Sequence, residues 1–380
     1  MKNSITPVFL TVTFRRMAIG LLSLFVPLYI LMIITDIGKS FKTAILGIIL
    51  YILGIYLIKL VTLPLAENLA HRFGFKWIII FSLLPLFLLI IFLFLAQKDF
   101  IFLVVSSVFW GIEAALFWFG YHGLFVKFGN EQQFGCQEGV SQVWGILSSI
   151  TIPILGSLLI VYWGFLGLFF IVALFALISV LIIIFSPVIK PYHDARIIKV
   201  FRLFKTHPKV VGAYLGWGGE GALYGVIWPV FLILIVGDIL GYGGIIAGSI
   251  LLAAVMTYLI GKWVDRSKGK QIISFGVFLG AFSWLARIIA RSPLSIVSVD
   301  GTYRLTEQML AIPMDVFSYK KALEGGTSQA LYFREIALNI GAILFLTMAV
   351  IIVWMGLPLW STFILGLVGT LAPILVSKRV

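Results

Sequence analysis

Apolar runs of about 20 residues recur along the whole chain of 380 residues. An α-helix of this length crosses the hydrocarbon core of a bilayer, which is about 30 Å thick. The strands of an outer-membrane barrel are instead alternating segments of about ten residues, and the runs here do not alternate. We predict twelve transmembrane helices, at 14–34, 43–63, 77–96, 101–126, 139–162, 164–187, 209–236, 243–262, 271–290, 295–318, 328–352 and 356–376. The expected fold class is an all-α integral membrane protein.

Composition and charge placement favour a membrane protein over a nucleic-acid-binding one. The chain is 61% hydrophobic and 11% charged, whereas a soluble domain is roughly a quarter charged. The net charge is +13, but most Lys and Arg residues fall in alternate connections between the runs, as the positive-inside rule describes for cytoplasmic loops. We therefore expect a multi-pass protein of the cytoplasmic (inner) membrane, embedded in lipid, with both termini cytoplasmic and no nucleic acid partner.

The longest polar stretch, at 190–209, divides the predicted helices into six and six. This stretch is either a solvated connection or an amphipathic segment attracted to anionic lipid. The expected division is an N-terminal six-helix bundle at 1–188, a cytoplasmic linker at 189–208 and a C-terminal six-helix bundle at 209–380.

A shift of 194 residues relates two pairs of charged positions in the two halves. It carries Arg72 onto Arg266 in a connection, and Glu113 onto Glu307 in the middle of a predicted helix. Two matches at one shift indicate an internal duplication.

The connection after the eighth run, GKWVDRSKGK at 261–270, resembles the Gly-x-x-x-Asp-Arg-x-Gly-Arg-Lys loop of the major facilitator superfamily. It keeps Gly261, Asp265 and Arg266. The resemblance implies twelve helices in two pseudo-symmetric six-helix bundles. It also implies a cytoplasmic latch, in which Asp265 faces the positive end of a neighbouring helix and Arg266 binds a carboxylate. Simple positive-inside anchoring is the alternative.

The matching connection of the first half, ENLAHRFGFK, keeps this motif only in part. Arg72 and Gly74 match the pattern, whereas Glu67 replaces the opening Gly and His71 replaces the Asp. We expect a first-half gate that is weak, or that responds to pH through His71.

The segment SITIPILGS at 149–157 resembles part of a Gly-Pro-x-x-Gly-Gly stretch that is typical of antiporters in the same family. It retains Pro153 and Gly156, with Ile152 and Ser157 at the neighbouring glycine positions. This partial match indicates export only weakly.

Four charged residues lie near the middle of predicted helices: Glu113, Glu220, Arg304 and Glu307. A charge at the centre of a membrane helix costs roughly 2.5–3.5 kcal/mol on insertion scales, and such residues usually face an interior or a water-filled cavity. In the superfamily that the chain resembles, the corresponding helices line the central cavity, and substrate binds near the midplane. We expect these side chains to meet in a hydrated cleft between the halves; a structural interhelix network is the alternative.

The four charges are expected to have different roles. Asp300, Arg304 and Glu307 are spaced to lie along one helix face, so Arg304 can pair with either acid. Glu113 and Glu220 have no basic residue within a turn of their own helices, although Arg304 could hold Glu113 from another helix. A carboxyl group that lacks both water and a cationic partner can exchange a proton near neutral pH. We therefore hypothesise that Glu113 and Glu220 carry protons, while Arg304 and Glu307 contact the solute or exchange partners.

Aromatic residues near the same depth could stack on a sugar ring or a flat organic cation, or contact only lipid and neighbouring helices. The candidates are Trp110, Trp118, Tyr121, Trp217, Tyr224 and Trp228. Six glycines surround Glu220 in GAYLGWGGEGALYG at 212–225; they permit either a broken helix or close helix packing.

Other charged residues lie at or near the ends of predicted helices, where anchoring can explain them. They are Arg15, Arg16, Arg287, Asp315, Arg334 and Glu335. An earlier start of the first helix would bring Arg15 and Arg16 towards the cavity, and a gate salt bridge is a second interpretation for Arg334 and Glu335.

The sequence shows no motif for catalysis, for a metal or for a cofactor. The four histidines are scattered without a His-Glu-x-x-His helix, and neither a Gly-x-Ser-x-Gly elbow nor a Gly-x-x-x-x-Gly-Lys-Ser/Thr loop is present. We therefore predict that the protein is not an enzyme and holds no cofactor.

We predict a monomeric secondary transporter that moves a small organic solute by alternating access. Proton coupling is expected, with export by antiport slightly favoured over proton-coupled uptake of a sugar or another polar metabolite. Mixed charge at the site favours a polar or zwitterionic solute, and the aromatic residues permit an amphipathic one. A channel or a non-transport membrane protein is the alternative of another class; channel filters use rings of carbonyls or charges, which a twofold duplication does not provide.

Overall fold

A computed structural model describes residues 6–191 and 197–377. All regular secondary structure in these ranges is helical. The α-helices are α1 (Thr6–Asp36), α2 (Phe41–Phe73), α3 (Phe75–Phe81), α4 (Leu83–Leu95), α5 (Ile101–Phe128), α6 (Phe134–Ile183), α7 (Ile197–Thr206), α8 (Pro208–Val236), α9 (Ile239–Trp263), α10 (Gly269–Ala286), α11 (Pro293–Gly325), α12 (Thr327–Trp354) and α13 (Phe363–Leu371). Shorter helical turns lie at Glu131–Gln133, Val264–Lys268, Leu359–Thr362 and Ala372–Val376.

The helices form a twelve-helix transmembrane fold, as predicted. Among the described residues, nine helical segments are long and apolar enough to cross a membrane. One of them, Glu131–Ile183, holds two crossings, because Gly164 has a φ of 64° and kinks the helix there. Helices α9 and α11 supply the other two crossings. The charged residues Asp300, Arg304 and Glu307 lower the mean hydropathy of α11. The third crossing is broken at Ser82, between α3 and α4.

Helix α1 begins at Thr6, earlier than the predicted start at residue 14. Val8 and Val12 are buried, so the segment before the long apolar run packs against the protein and continues the helix. Arg15 and Arg16 therefore lie inside α1 rather than before it.

Helix α8 is continuous through its glycine-rich segment, in agreement with the close-packing interpretation. A Cβ atom on Gly218 would lie 2.2 Å from the Leu338 carbonyl oxygen, and one on Gly341 would lie 2.0 Å from the Leu215 carbonyl oxygen. The backbones of α8 and α12 thus touch, which small residues permit between membrane helices.

The helices before and after α7 form two halves, which meet mainly along α6 with α9 and along α2 with α12. Helix α7 lies in the predicted linker, and Phe204 on it packs against Phe333 of α12 with ring centroids 5.0 Å apart. The bundle and linker boundaries given above stay a prediction. We name the end that carries Gly74 and Asp265 the latch end, and the opposite end, where α2 begins and α12 ends, the far end.

Candidate functional site

A cavity of about 280 Å³, the central cavity, lies between the two halves. Its charged lining residues are Arg15 and Arg16 from α1, with Arg304 and Glu307 from α11. The polar and aromatic lining residues are Ser23, Phe117, Trp118, Gln142 and Gln308. Guanidinium groups from both halves therefore face one space, together with one carboxylate.

Two further cavities continue the central cavity along the interface. The latch-side cavity, of about 310 Å³, shares Arg16 and Glu307 with it. The far-side cavity, of about 160 Å³, shares Ser23 and Arg304 with it. The three cavities form a row, and Arg16 and Arg304 stand at its two junctions. Larger cavities, of about 580 and 440 Å³, lie outside this row and are lined by none of the residues named above as site candidates.

Asp300, Arg304 and Glu307 lie along α11 with distinct environments. Asp300 is fully buried, and its carboxylate accepts hydrogen bonds from Arg304 Nε and from the Tyr224 hydroxyl, each at 2.9 Å. Glu307 instead exposes its side chain to the central and latch-side cavities. Asp300 therefore fixes Arg304, which lines the central and far-side cavities, while Glu307 is accessible to a solute.

Arg287 follows the end of α10 and is fully buried in an aromatic cage. Its guanidinium carbon lies 4.6, 4.4 and 4.3 Å from the ring centroids of Trp228, Trp284 and Tyr303, within the range of cation–π attraction. One guanidinium nitrogen lies 3.7 Å from an Asp300 oxygen. Arg287 thus helps to position the carboxylate that fixes Arg304.

Glu113 lies inside the first half, where it forms an ion pair with Arg15 of α1. The two residues are 1% and 4% exposed. Arg15 lines the central cavity, but Glu113 does not. The expectation that Glu113 faces the cleft and meets Arg304 is therefore corrected. The early start of α1 places Arg15 at the depth of Glu113, so the acid is paired within its own half.

Glu220 lies inside the second half. Its Oε1 atom accepts a hydrogen bond from Trp284 Nε1 at 2.9 Å, and the Tyr303 hydroxyl also hydrogen-bonds to it. The residue is 4% exposed and does not line the central cavity. The expectation that Glu220 faces the cleft is likewise corrected, because α8 turns this side chain towards α10 and α11.

The six candidate aromatic residues divide between the cavities and the interiors of the halves. Four line cavities of the row: Trp118, Trp217, Tyr224 and Trp228. Trp110 packs against Tyr51, with ring centroids 6.1 Å apart. Tyr121 is buried, with its hydroxyl 3.1 Å from Ser141 Oγ. Trp110 and Tyr121 do not line the central cavity, so for these two residues the structure shows internal packing instead of solute contact.

Asp265 joins the halves at the latch end. Its carboxylate accepts backbone hydrogen bonds from Gly135 (2.8 Å) and Cys136 (2.6 Å), in the first turn of α6. Its negative charge faces the positive end of the α6 dipole, the arrangement that the family resemblance implies. A Cβ atom on Gly261 would lie 2.5 Å from the Gly135 carbonyl oxygen, so glycine is required for this approach. Arg266 is exposed.

In the first half, Glu67 of α2 rather than His71 contacts the first turn of α12. The Ser328 hydroxyl, in the first turn of α12, donates a hydrogen bond to Glu67 Oε1 at 3.3 Å. His71 Nε2 lies 3.5 Å from the same oxygen. The first-half contact therefore uses an acid one turn earlier than the motif position.

Arg72 lies in the last turn of α2, and Gly74 follows the end of this helix. Arg72 is exposed, with its guanidinium carbon 5.2 Å from the Phe73 ring centroid. Gly74 has a φ of 97°, and a Cβ atom there would lie 2.8 Å from the Ile189 carbonyl oxygen. Gly74 thus permits the sharp turn between α2 and α3 close to the end of the sixth crossing.

A charged network lines the latch-side cavity and also joins the halves. Arg334 of α12 pairs with Asp315 of α11 and with Glu335. From the first half, Lys59 Nζ lies 2.9 Å from Glu335 Oε2, and His122 Nε2 lies 3.1 Å from Arg334 Nη1. This arrangement agrees with the gate interpretation of Arg334 and Glu335.

The halves are joined at the far end as well. Lys42 Nζ donates a hydrogen bond to the Trp354 carbonyl oxygen at 2.8 Å. Ser157 Oγ donates to the Ile239 carbonyl oxygen at 2.9 Å. Contacts therefore join the two halves on both sides of the cavity row.

Two residues of the latch-side cavity, His122 and Glu138, were not identified from the sequence. They lie near the ends of apolar runs, where anchoring or a helix cap explains a polar residue equally well. For Arg16 the signal was the TPVFLTVTFRR segment, whose apolar residues continue the first helix towards the latch end.

Comparisons with known proteins agree with this architecture. A family model described as Major Facilitator Superfamily matches residues 8–303. The structure of the human organic anion transporter MFSD10 (TETRAN) is similar, with a TM-score of 0.72, 13% identity and 99% of both chains covered. The E. coli fucose:proton symporter FucP gives a TM-score of 0.69 at 14% identity, with 100% of both chains covered. An outward-facing bacterial homologue of the iron transporter ferroportin gives 0.71 at 12% identity, with 98% of both chains covered. Among curated proteins, none matches the sequence.

The family match covers more than half of the chain and the fold extends over all of it, which confirms the resemblance noted in the loop motif. The family indicates a multi-pass membrane transporter rather than an enzyme, with a small-molecule substrate bound within the membrane. The chain belongs to the Major Facilitator Superfamily.

Proposed function

We propose that the protein is a secondary active transporter that moves a small organic solute bearing an acidic group, together with protons, by alternating access. The central cavity carries this proposal, because Arg16 of one half and Arg304 of the other present guanidinium groups to one space of about 280 Å³. Guanidinium groups bind carboxylates and other oxyanions through paired hydrogen bonds. A solute held by both arginines would contact both halves at once, as alternating access requires.

Glu307 and the aromatic lining refine the solute class. The exposed Glu307 carboxylate could accept an ammonium group, so a zwitterion fits as well as an anion. Trp118 offers a ring face beside the arginines. The similar fold of an organic anion transporter supports an anionic solute.

Proton coupling and direction form part of the same proposal. The similar fold of a fucose:proton symporter supports proton coupling, and Glu113 and Glu220 remain the sequence-based candidates for carrying protons. Positive-inside charge placement makes the latch end cytoplasmic. The sequence slightly favours export by antiport, whereas a solute that binds together with a proton moves by symport; the orientation of the proton gradient that drives transport separates them.

Thermal stabilisation of the detergent-solubilised protein tests the solute class, since a ligand that binds only the folded state raises its stability. We would compare benzenesulfonate, phenylalanine, benzyltrimethylammonium and fucose as anionic, zwitterionic, cationic and neutral probes. The first two should raise the melting temperature of the wild type but not of Arg304→Gln. Arg202→Gln, at an exposed position on α7, is the matched control and should respond like the wild type. Equal stabilisation by the cation and the anion, or none by either acidic probe, would contradict the proposal.

A further inference from the structure

We propose that Glu138 binds the coupled proton and that Arg16 is shared between Glu138 and the acidic group of the solute. One proton then accompanies each negative charge. This inference rests on the proposed function, since it assigns the coupling step to the same row of cavities.

Glu138 lies in the second turn of α6, where the halves meet. It is 1% exposed and lines the latch-side cavity, as Arg16 does. Its Oε1 atom accepts a hydrogen bond from Gln142 Nε2 at 2.8 Å, and Arg16 Nη2 lies 4.0 Å from the same oxygen. From the other half, the Tyr319 hydroxyl donates to Oε2 at 3.4 Å. Glu138 is thus a buried acid held by neutral donors and by one distant cation.

The other charged and titratable groups around Glu138 are mostly engaged with one another. Those that face it are Arg16 on α1, Tyr121 and His122 on α5, Asp315 and Tyr319 on α11, and Arg334 on α12. Arg334 is paired with Asp315. His122 Nδ1 lies 2.8 Å from the Tyr319 hydroxyl, while its Nε2 faces Arg334. Arg16 is therefore the cation most able to change partners at Glu138.

Arg16 can reach both the acid and the solute. Its Nη1 atom donates a hydrogen bond to the Ser141 carbonyl oxygen at 2.9 Å, which anchors the guanidinium group on α6. A Cβ atom on Gly145 would lie 2.8 Å from this nitrogen, so the glycine leaves room for the side chain. Arg16 lines the central and latch-side cavities. Its second amino group faces Glu138 without a close contact.

The charges balance in this exchange. Ionised Glu138 and Arg16 together are neutral. When a proton from the cavity water binds to Glu138 and a solute anion binds to Arg16, the group remains neutral. Because linkage is reciprocal, protonation tightens anion binding by the same factor by which the anion tightens proton binding.

The acids singled out from the sequence fit this role less well. Glu113 is already paired with Arg15, and Glu220 is hydrogen-bonded inside the second half. Glu307 opens to both cavities, so it is the strongest competitor and is included in the test.

Calorimetric binding of benzenesulfonate to the full chain in detergent, from mildly acidic to mildly alkaline pH, tests the inference. This probe stays ionised throughout, so any pH dependence belongs to the protein. In the wild type, the affinity should fall by about tenfold per pH unit once Glu138 is ionised, as expected for one linked proton. Glu138→Gln should bind tightly at every pH, and Glu138→Asp should restore the pH dependence. Glu131→Gln, at an exposed position near the start of α6, and Glu307→Gln should both retain it.

The outcomes separate this inference from the proposed function. If the wild type binds benzenesulfonate tightly but Glu138→Gln keeps the pH dependence of the affinity, the inference is overturned. The inference is also overturned if Glu307→Gln loses this pH dependence. In both cases the transport proposal still stands. Absence of benzenesulfonate binding by the wild type would contradict both.

Proteoliposomes give a second readout. Uptake by the wild type should not respond to an imposed membrane potential, because one proton and one negative charge move together, whereas uptake by Glu138→Gln should respond. A potential-sensitive wild type would also overturn the inference.

Discussion

Arg15 of α1 and Glu113 of α5 form an ion pair within the first half of the molecule. Both side chains are nearly fully buried, and removing one partner of a buried pair leaves an uncompensated charge. In soluble proteins that change costs about 3–5 kcal/mol. Each partner is therefore needed to compensate the buried charge of the other, in the half that supplies Arg16 to the central cavity.

Glu113→Gln should therefore lower the melting temperature of the detergent-solubilised protein clearly, and Arg15→Gln together with Glu113→Gln should recover part of the loss. Glu324→Gln is the control, because the Glu324–Lys321 pair is exposed and such pairs contribute about 0–1 kcal/mol. Equal decreases in melting temperature for Glu113→Gln and Glu324→Gln would show that removing Glu113 from the buried pair costs no more stability than removing an exposed acid.

Asp265→Asn should weaken the latch. Asparagine keeps an acceptor for the backbone of α6 but loses the negative charge at its N-terminus. Hydrogen bonds to charged groups contribute about 1.5–3 kcal/mol, so the population open at the latch end should rise by roughly tenfold or more. Double electron–electron resonance would show longer distances between spin labels placed at the exposed positions Gln132 and Lys320 in a Cys136→Ser background. An unchanged distance distribution would mean that Asp265 does not hold the halves together.

Gly261→Ala should also raise the population that is open at the latch end, in this case through a steric clash. The added Cβ atom would lie 2.5 Å from the Gly135 carbonyl oxygen, so α6 and α9 must separate. Gly244→Ala on the same helix is the matched control, because nothing lies within 4 Å of its Cβ position. The same spin labels should report separation in the first variant only; separation in both, or in neither, would argue against close packing as the cause.

Transport driven by a pH gradient separates the candidate proton carriers. Glu138→Gln should lose the response of benzenesulfonate transport to the gradient, because the linked proton is gone. Glu113→Gln and Glu220→Gln should keep this response to the gradient. Because these two variants can give a lower yield of folded protein, transport rates are compared per amount of folded protein. Loss of the response in Glu220→Gln but not in Glu138→Gln would restore the hypothesis drawn from the sequence.

Sequence patterns were sufficient for features that depend on local chemistry. Apolar run length predicted the membrane crossings, and the spacing of Asp300 and Arg304 allowed the pair that forms on α11. The resemblance of the GKWVDRSKGK motif to the family loop implied an acid that faces a helix N-terminus, as Asp265 does at the start of α6. The first two features follow from residues close together in the chain, and the third follows from the family pattern.

The partners of the central charges depend instead on contacts between distant helices. Nothing near Glu113 indicates that Arg15 reaches it, and nothing near Glu220 indicates the Trp284 hydrogen bond. The proposed site at Arg16 and Glu138 likewise requires α1 to lie against α6. Hydropathy places residues by depth in the membrane, but it does not fix the rotation of a helix about its axis.

Counterflow in proteoliposomes tests most directly whether the row of cavities is a solute pathway that opens alternately to the two sides. We predict that unlabelled benzenesulfonate inside the vesicles accelerates the entry of labelled benzenesulfonate, that entry saturates, and that Arg304→Gln lowers the rate at least about tenfold, equivalent to about 1.4 kcal/mol. Entry that rises linearly with concentration, ignores the internal solute and is unchanged in Arg304→Gln would contradict this prediction.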